Sequence, residues 1–271
     1  MNKYLITPIK QRISTIWVTQ DQLEKWIGKW EFFFILGVGR SGTAFMANLL
    51  NQVQGAYVFH EPVLEDFYAY IRAHYNPQDT ESYMLGFRKK EIYMRMRHMT
   101  PGVYGEVNSV LRYHTEAIKK AFPNVTLIHI VRDGRDVVRS AMSRGTMTIK
   151  SPYSMGIHPS EQDPWKTRWK KMDRFAKICW LWQVENAQLR SSIGTTVQFE
   201  KVLSSYEYFQ DNILNPCHID VDKKTWETAV ASPRNITSHF QMPKWDDWTP
   251  EQQKVFREIC GDEMAKCVYA F

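Results

Sequence analysis

Three clusters in the sequence carry residue types suited to anions and protons: the run Gly37 to Ala44, the pair His60-Glu61, and Arg132 with Ser140. The first is built as an anion cradle. Gly37, Gly39 and Gly42 let the backbone approach a ligand closely, and the N–H groups opening the next helix, with its dipole, favour a phosphate-like group. Arg40 adds a permanent cation with fork-shaped donors, able to stabilise charge on a leaving phosphate without moving a proton. The spacing Gly37-x-x-x-x-Gly42 equals that of a Walker A loop. However, Thr43-Ala44 stands where Lys-Ser/Thr belongs, which argues against an ordinary ATPase or GTPase. His60-Glu61 offers the proton chemistry: an imidazole at its native pKa, or a carboxylate raised by burial, can take a proton from an acceptor group near neutrality. Glu61 is the first choice for that base and His60 the second; Pro62 leaves the alternative that Glu61 is simply a first-turn residue favoured by a helix dipole. Arg132 ends an apolar run and Ser140 lies on the helix that follows, so the two can converge on a second anion beyond the end of a strand. Two adjacent anion sites point to a ligand phosphorylated at both ends. The alternative is a solvated cluster of Arg132, Asp133, Arg135 and Asp136 capping the helix.

The elements that must position these clusters follow a βαβ rhythm. Short apolar runs predict strands near 32–38, 56–59, 103–107, 125–131 and 195–199, alternating with helices near 43–52, 62–75, 112–121, 134–144 and 165–191. That pattern implies an α/β fold: a central parallel sheet of about five strands flanked by helices, in one domain over 1–271 with its core at about 32–252. With 271 residues, 44% hydrophobic and 14% aromatic, the chain can bury a sizeable core. Over 165–191, Trp165, Trp169, Met172, Ala176, Cys179 and Trp180 recur at helical steps opposite Lys166, Lys170, Lys171, Arg174 and Lys177, the pattern of one apolar and one basic face. The four cysteines, Cys179, Cys217, Cys260 and Cys267, lack CxxC or Cys/His ligand spacing and read as free thiols of a reducing compartment. The N-terminus shows no apolar signal segment and no run reaches bilayer length, so the expected location is cytoplasmic, with no transmembrane segment. The formal net charge of +6 fits an anionic ligand or a merely basic surface, and the basic runs carry no helix-turn-helix, RNA-binding or zinc signature of nucleic-acid binding.

In order along the chain, GVGRSGTAF (37–45), GEVNS (105–109), FPNVTLIHIVRDGRDVVRSAMSR (122–144), VQFEKVL (197–203) and, more weakly, PKWDDWTPEQ (243–252) resemble the sulfotransferases that use 3′-phosphoadenosine 5′-phosphosulfate (PAPS) as donor. The resemblance implies a P-loop-NTPase-like fold and transfer of a sulfuryl group to a hydroxyl or amine acceptor, a small molecule, glycan, lipid or peptide. PAP is the nucleotide product, and no metal is required. It implies that Arg40-Ser41-Gly42-Thr43, flanked by Gly39 and Ala44, holds the 5′-phosphosulfate, that Arg132 and Ser140 bind the 3′-phosphate, and that Arg234 and Lys244 fall where further cationic contacts to that phosphate are found. Some branches of the family use a glutamate base at a place similar to Glu61, others a histidine. Ala44-Phe45 and Val107-Asn108-Ser109 depart from the usual pattern, the latter standing where Lys-Thr-Pro is frequent, and both bear on the acceptor rather than the donor. Glu106 is a candidate lining residue for the acceptor, and His114 a further site candidate; His129, alternating with Ile128 and Ile130, reads as a satisfied core residue. Trp180 or Trp182 could stack on an adenine, although helix packing suffices for both. The basic run from Arg88 to His98 reads as an acceptor lid or, more simply, a solvated helix face. Two rival readings are a nucleotide-dependent phosphotransferase with a degenerate Walker loop and a non-catalytic nucleotide-binding module.

Overall fold

Five apolar runs form strands β1 (Glu31–Leu36), β2 (Ala56–His60), β3 (Val103–Asn108), β4 (Thr126–Val131) and β5 (Thr196–Gln198) in the computed structural model, which describes residues 18–232 and 242–271. They pair in the order β2-β3-β1-β4-β5, every neighbour parallel. A parallel sheet needs crossovers, and helices supply them on both faces. The main ones are α1 (Gln20–Ile27), α2 (Thr43–Leu50), α3 (Glu65–Tyr75), α4 (Lys89–Met96), α5 (Thr115–Ala121), α6 (Gly134–Met142), α7 (Arg174–Ile193), α8 (Lys223–Ala231) and α9 (Pro250–Lys266). Alternation along β1 divides the core: Phe33 and Ile35 pack with Met46, Leu49 and Leu50 of α2, whereas Phe32, Phe34 and Leu36 pack with Tyr104 and Phe122 on the other face. Phe32 to Leu36 are all buried, which explains why β1 reads as an unbroken apolar run. Because all five strands point the same way, the loops after β1, β2, β3 and β4 meet at one sheet edge.

The helix expected over 165–191 begins instead at Arg174, where the Asp173 carboxylate accepts the Ala176 N–H at 2.8 Å as an N-cap. Trp169 lies in a short 3₁₀ turn and packs edge-on against Trp180, with ring centroids 4.9 Å apart. Buried positions on α7 include Phe175, Ile178, Trp180, Trp182, Glu185 and Leu189, so the helix is enclosed on several sides rather than split into an apolar and a basic face. All four cysteines are free and buried. Among the described residues, no helix is long and apolar enough to cross a membrane.

Behind β3 lies a buried ionic network. Arg88 forms ion pairs with Asp66 (2.9 Å), Glu91 and Glu106, all four side chains fully enclosed, and Tyr83 and Tyr104 donate to Asp66 and Glu106. Burial, only partly offset by Arg88, pushes the Asp66 carboxyl up to about 7. Glu106 is thus a structural ion and does not line the cleft, and Arg88 and Lys89 are buried rather than part of a solvated face.

The buried histidines make a testable contribution to acid stability. His129 is held between Thr196 Oγ1 (3.2 Å) and Asn186 Oδ1 (3.0 Å), and burial lowers its pKa to about 4; burial and the charges of Arg88 and Arg72 lower His114 to about 3. Both are neutral in the folded chain but protonate in the unfolded chain near pH 6.5, so stability is complete above that value and is lost as pH falls toward about 4. Urea denaturation at pH 7 and pH 4.5 should show His129→Gln removing part of the acid-induced loss, on the order of 3 kcal/mol for full titration of one such site. An unchanged pH dependence in the variant would contradict this origin.

Candidate functional site

The sheet edge carries a cleft of about 620 Å³ whose walls include Gly39, Arg40, Gly42, Thr43, Ala44, His60, Glu61, Arg132 and Ser140. Thus the three clusters, far apart in sequence, meet in one place. The loop after β1 is shaped by two glycines that tolerate no side chain. A Cβ on Gly37 would lie 2.6 Å from the Ile130 carbonyl, and one on Gly42, at φ +87°, would lie 2.3 Å from the Phe199 ring. Gly42 then leads directly into α2, whose first residue, Thr43, faces the cleft. Ser41 is fully buried, and its hydroxyl has no hydrogen-bond partner among the described residues.

Two non-glycine residues in this cleft sit at positive φ: Arg40 at 77° and Glu61 at 43°. Such backbones cost on the order of 1–3 kcal/mol each and persist where the surroundings fix them. Arg40 Nε donates to Ser140 Oγ at 3.0 Å, and Arg132 Nη1 donates to the Arg40 carbonyl at 3.2 Å, so the glycine loop and the Arg…Ser pair are joined directly. Burial lowers the Arg40 pKa, and the nearby charges of Arg144 and Arg132 lower it further. A group of mutually repelling guanidinium ions facing a cleft favours a bound anion that relieves the repulsion. Asp136 partly screens it, accepting from Arg132 at 3.4 Å and Arg139 at 3.1 Å. Asp133, Arg135 and Asp136 do form the helix-capping cluster foreseen as an alternative, with Asp133 capping α6, but Arg132 and Ser140 line the cleft as well.

The strand β2 ends at His60, and the strained turn at Glu61 brings both side chains to the cleft. His60 Nε2 is 3.1 Å from Thr43 Oγ1 and 3.8 Å from Glu61 Oε1. Glu61 Oε1 accepts from both the backbone N–H (3.2 Å) and the hydroxyl of Ser109. Glu61 precedes α3, which starts only at Glu65, so it is not a first-turn residue of that helix.

Sequence reasoning missed Ser109, Asp136, Arg139, Ser143 and Phe199 as cleft residues. The GEVNS and VQFE segments were visible, but the contact of Ser109 with Glu61 depends on β2 and β3 being neighbours, which no local pattern specifies. Lys244 is exposed ahead of a 3₁₀ turn and is not among the residues lining the cleft, and Arg234 lies outside the described residues. Trp180 and Trp182 are buried in the core, their indole N–H groups donating to Asp163 and to the Arg132 carbonyl, so neither is available to stack on a base. No group of three or more His, Cys, Asp or Glu that could hold a metal occurs among the described residues.

Residues 91–223 match the model of a family described as the sulfotransferase family, a segment that contains Ser109, Arg132 and Ser140 and begins after the glycine loop and His60-Glu61. Among solved structures, the chain is similar to a sulfotransferase domain from the curacin biosynthetic pathway, with 10% identity, TM-score 0.53, and coverage of 89% of this chain and 99% of that one. It is also similar to mouse sulfotransferase SULT7A1 complexed with PAP, at 13% identity, TM-score 0.51, and coverage of 91% and 90%. These likenesses show the fold: one α/β domain with a five-stranded parallel sheet. No curated protein matches the sequence significantly.

Proposed function

We propose that this chain, whose residues 91–223 match the sulfotransferase family model, is a sulfotransferase that moves a sulfuryl group from PAPS to the hydroxyl or amine of a small-molecule acceptor. The observation that carries the reading is the direct junction of two anion-binding elements, Arg40 Nε to Ser140 Oγ at 3.0 Å and Arg132 to the Arg40 carbonyl at 3.2 Å. A donor phosphorylated at both the 5′ and 3′ positions would span them. The loop Gly39 to Ala44, opening α2, would take the 5′-phosphosulfate through backbone N–H groups and the Ser41 and Thr43 hydroxyls. Arg132 and Ser140 would take the 3′-phosphate, which ATP and ADP lack; Arg234 and Lys244 remain proposed auxiliary cations. The buried Ser41 hydroxyl, without a hydrogen-bond partner among the described residues, fits such a ligand.

In the reaction the acceptor oxygen or nitrogen attacks sulfur in line with the bond to the bridging oxygen. That S–O bond breaks, its electrons pass to the phosphate of PAP, and Glu61 takes the acceptor proton. Arg40 stabilises the charge that develops on the leaving phosphate. His60, 3.8 Å from Glu61, is the second choice of base. Donor charge is met by guanidinium groups, so turnover requires no divalent ion. Buried free thiols fit a reducing, cytoplasmic setting.

A thermal-shift series tests the donor class, because a ligand that binds only the folded chain raises its apparent stability. PAP and PAPS should raise the melting temperature well beyond ATP or ADP at equal concentration. PAPS consumption in the presence of an acceptor should survive EDTA. Stabilisation by ATP with magnesium alone, or loss of turnover on chelation with recovery on adding magnesium, would instead favour a phosphotransferase.

A further inference from the structure

We propose that Ser109 is a positioning residue for the base, holding one oxygen of Glu61 so that the other is left for the acceptor proton. The inference rests on the assignment of Glu61 as that base. Ser109 follows β3 and is buried, and both its N–H (3.2 Å) and its hydroxyl donate to the same atom, Glu61 Oε1. No hydrogen bond from the described residues reaches Oε2. Two donors on one oxygen fix the plane of the carboxylate and aim the free lone pairs of the other oxygen at the cleft. Ser109 is itself anchored from behind. The Asn108 side-chain amide donates through Nδ2 to Asp66 (3.3 Å) and Glu106 (3.1 Å) of the Arg88 network, and its Oδ1 accepts from Val110 N (2.8 Å) and Leu111 N (3.1 Å). The buried ions therefore hold the turn that presents Ser109. Glu61 depends on this support because its backbone is at φ 43°.

The titratable and charged groups around Glu61 are His60 on β2 at 3.8 Å, Arg40 in the loop after β1, and Arg132, Asp136 and Arg139 at the α6 side of the cleft, with Asp66, Arg88 and Glu106 behind β3. Ser109→Ala leaves all of them in place and removes one donor.

The test compares pH profiles of kcat at saturating PAPS for the wild type, Ser109→Ala, Ser109→Cys, Glu61→Gln and the Ser109→Ala/Glu61→Gln double variant. Removing the hydroxyl should move the acid limb upward by about one pH unit and lower the neutral rate about tenfold. Ser109→Cys, with a weaker donor of similar size, should fall between. In the Glu61→Gln background, Ser109→Ala should cost less than about twofold, as expected of a residue acting through Glu61. An unmoved acid limb in Ser109→Ala, or losses that multiply in the double variant, would overturn the role of Ser109 while leaving Glu61 as base. Wild-type turnover in Glu61→Gln would overturn the base itself, a separately readable result. PAP affinity should be unchanged in every variant; a loss confined to PAP binding would also overturn the proposal.

Discussion

Glu61→Gln is expected to lower the single-turnover rate of sulfuryl transfer by about 10²–10⁴ while leaving PAP affinity unchanged. Gln keeps the size and can still accept from Ser109, so the strained turn and the cleft should persist; only proton acceptance is lost. The side chain is 18% exposed, which leaves little room for water to substitute as base. His60 supplies the contrast. Its Nε2 contacts Thr43 Oγ1 at 3.1 Å, a tie to the donor loop, so His60→Asn should disturb donor binding more than the chemical step. Full turnover in Glu61→Gln, with His60→Asn inactive and its donor binding intact, would exchange the two roles.

Arg40→Ala should reduce kcat by about 10²–10³ and weaken PAP binding by less than that factor, the pattern of a residue whose contact strengthens in the transition state. Arg40→Lys should lie between, since it keeps the charge but loses the planar fork that reaches the bridging oxygen and phosphate together. Burial and the neighbouring Arg144 and Arg132 charges already disfavour the Arg40 cation, so the folded chain holds repulsion that a polyanionic donor relieves. A residue that only anchored the donor would change binding and leave the rate at saturation intact. An unchanged single-turnover rate in Arg40→Ala would therefore remove Arg40 from the chemistry.

The parallel sheet was legible because its central strands β3, β1 and β4, largely buried, are written as mainly apolar runs, and the observed spans differ from the expected ones by no more than a residue or two at most ends. The glycine loop was legible for a stricter reason: Gly37 and Gly42 each meet another atom where a Cβ would sit. The start of α7 was not. Trp165 and Trp169 have helical spacing, but Asp173 captures the Ala176 N–H and starts the helix later, so local capping overrides periodicity. Glu106 illustrates a different limit. A lone glutamate ending a strand reads as a site residue, yet its partner Arg88 arrives from a helical segment whose position is set only by tertiary packing. Ser109 was hidden in the same way, since its meaning depends on which strand lies beside β3.

The most direct test of the donor assignment is calorimetric titration of the chain with PAP and with AMP, which differ by the 3′-phosphate. Charge-assisted hydrogen bonds are worth about 1.5–3 kcal/mol each, so contacts from Arg132 and Ser140 predict PAP binding at least about 100-fold tighter than AMP. Arg132→Ala should erase most of that preference. Equal affinity for PAP and AMP in the wild-type chain would contradict the account.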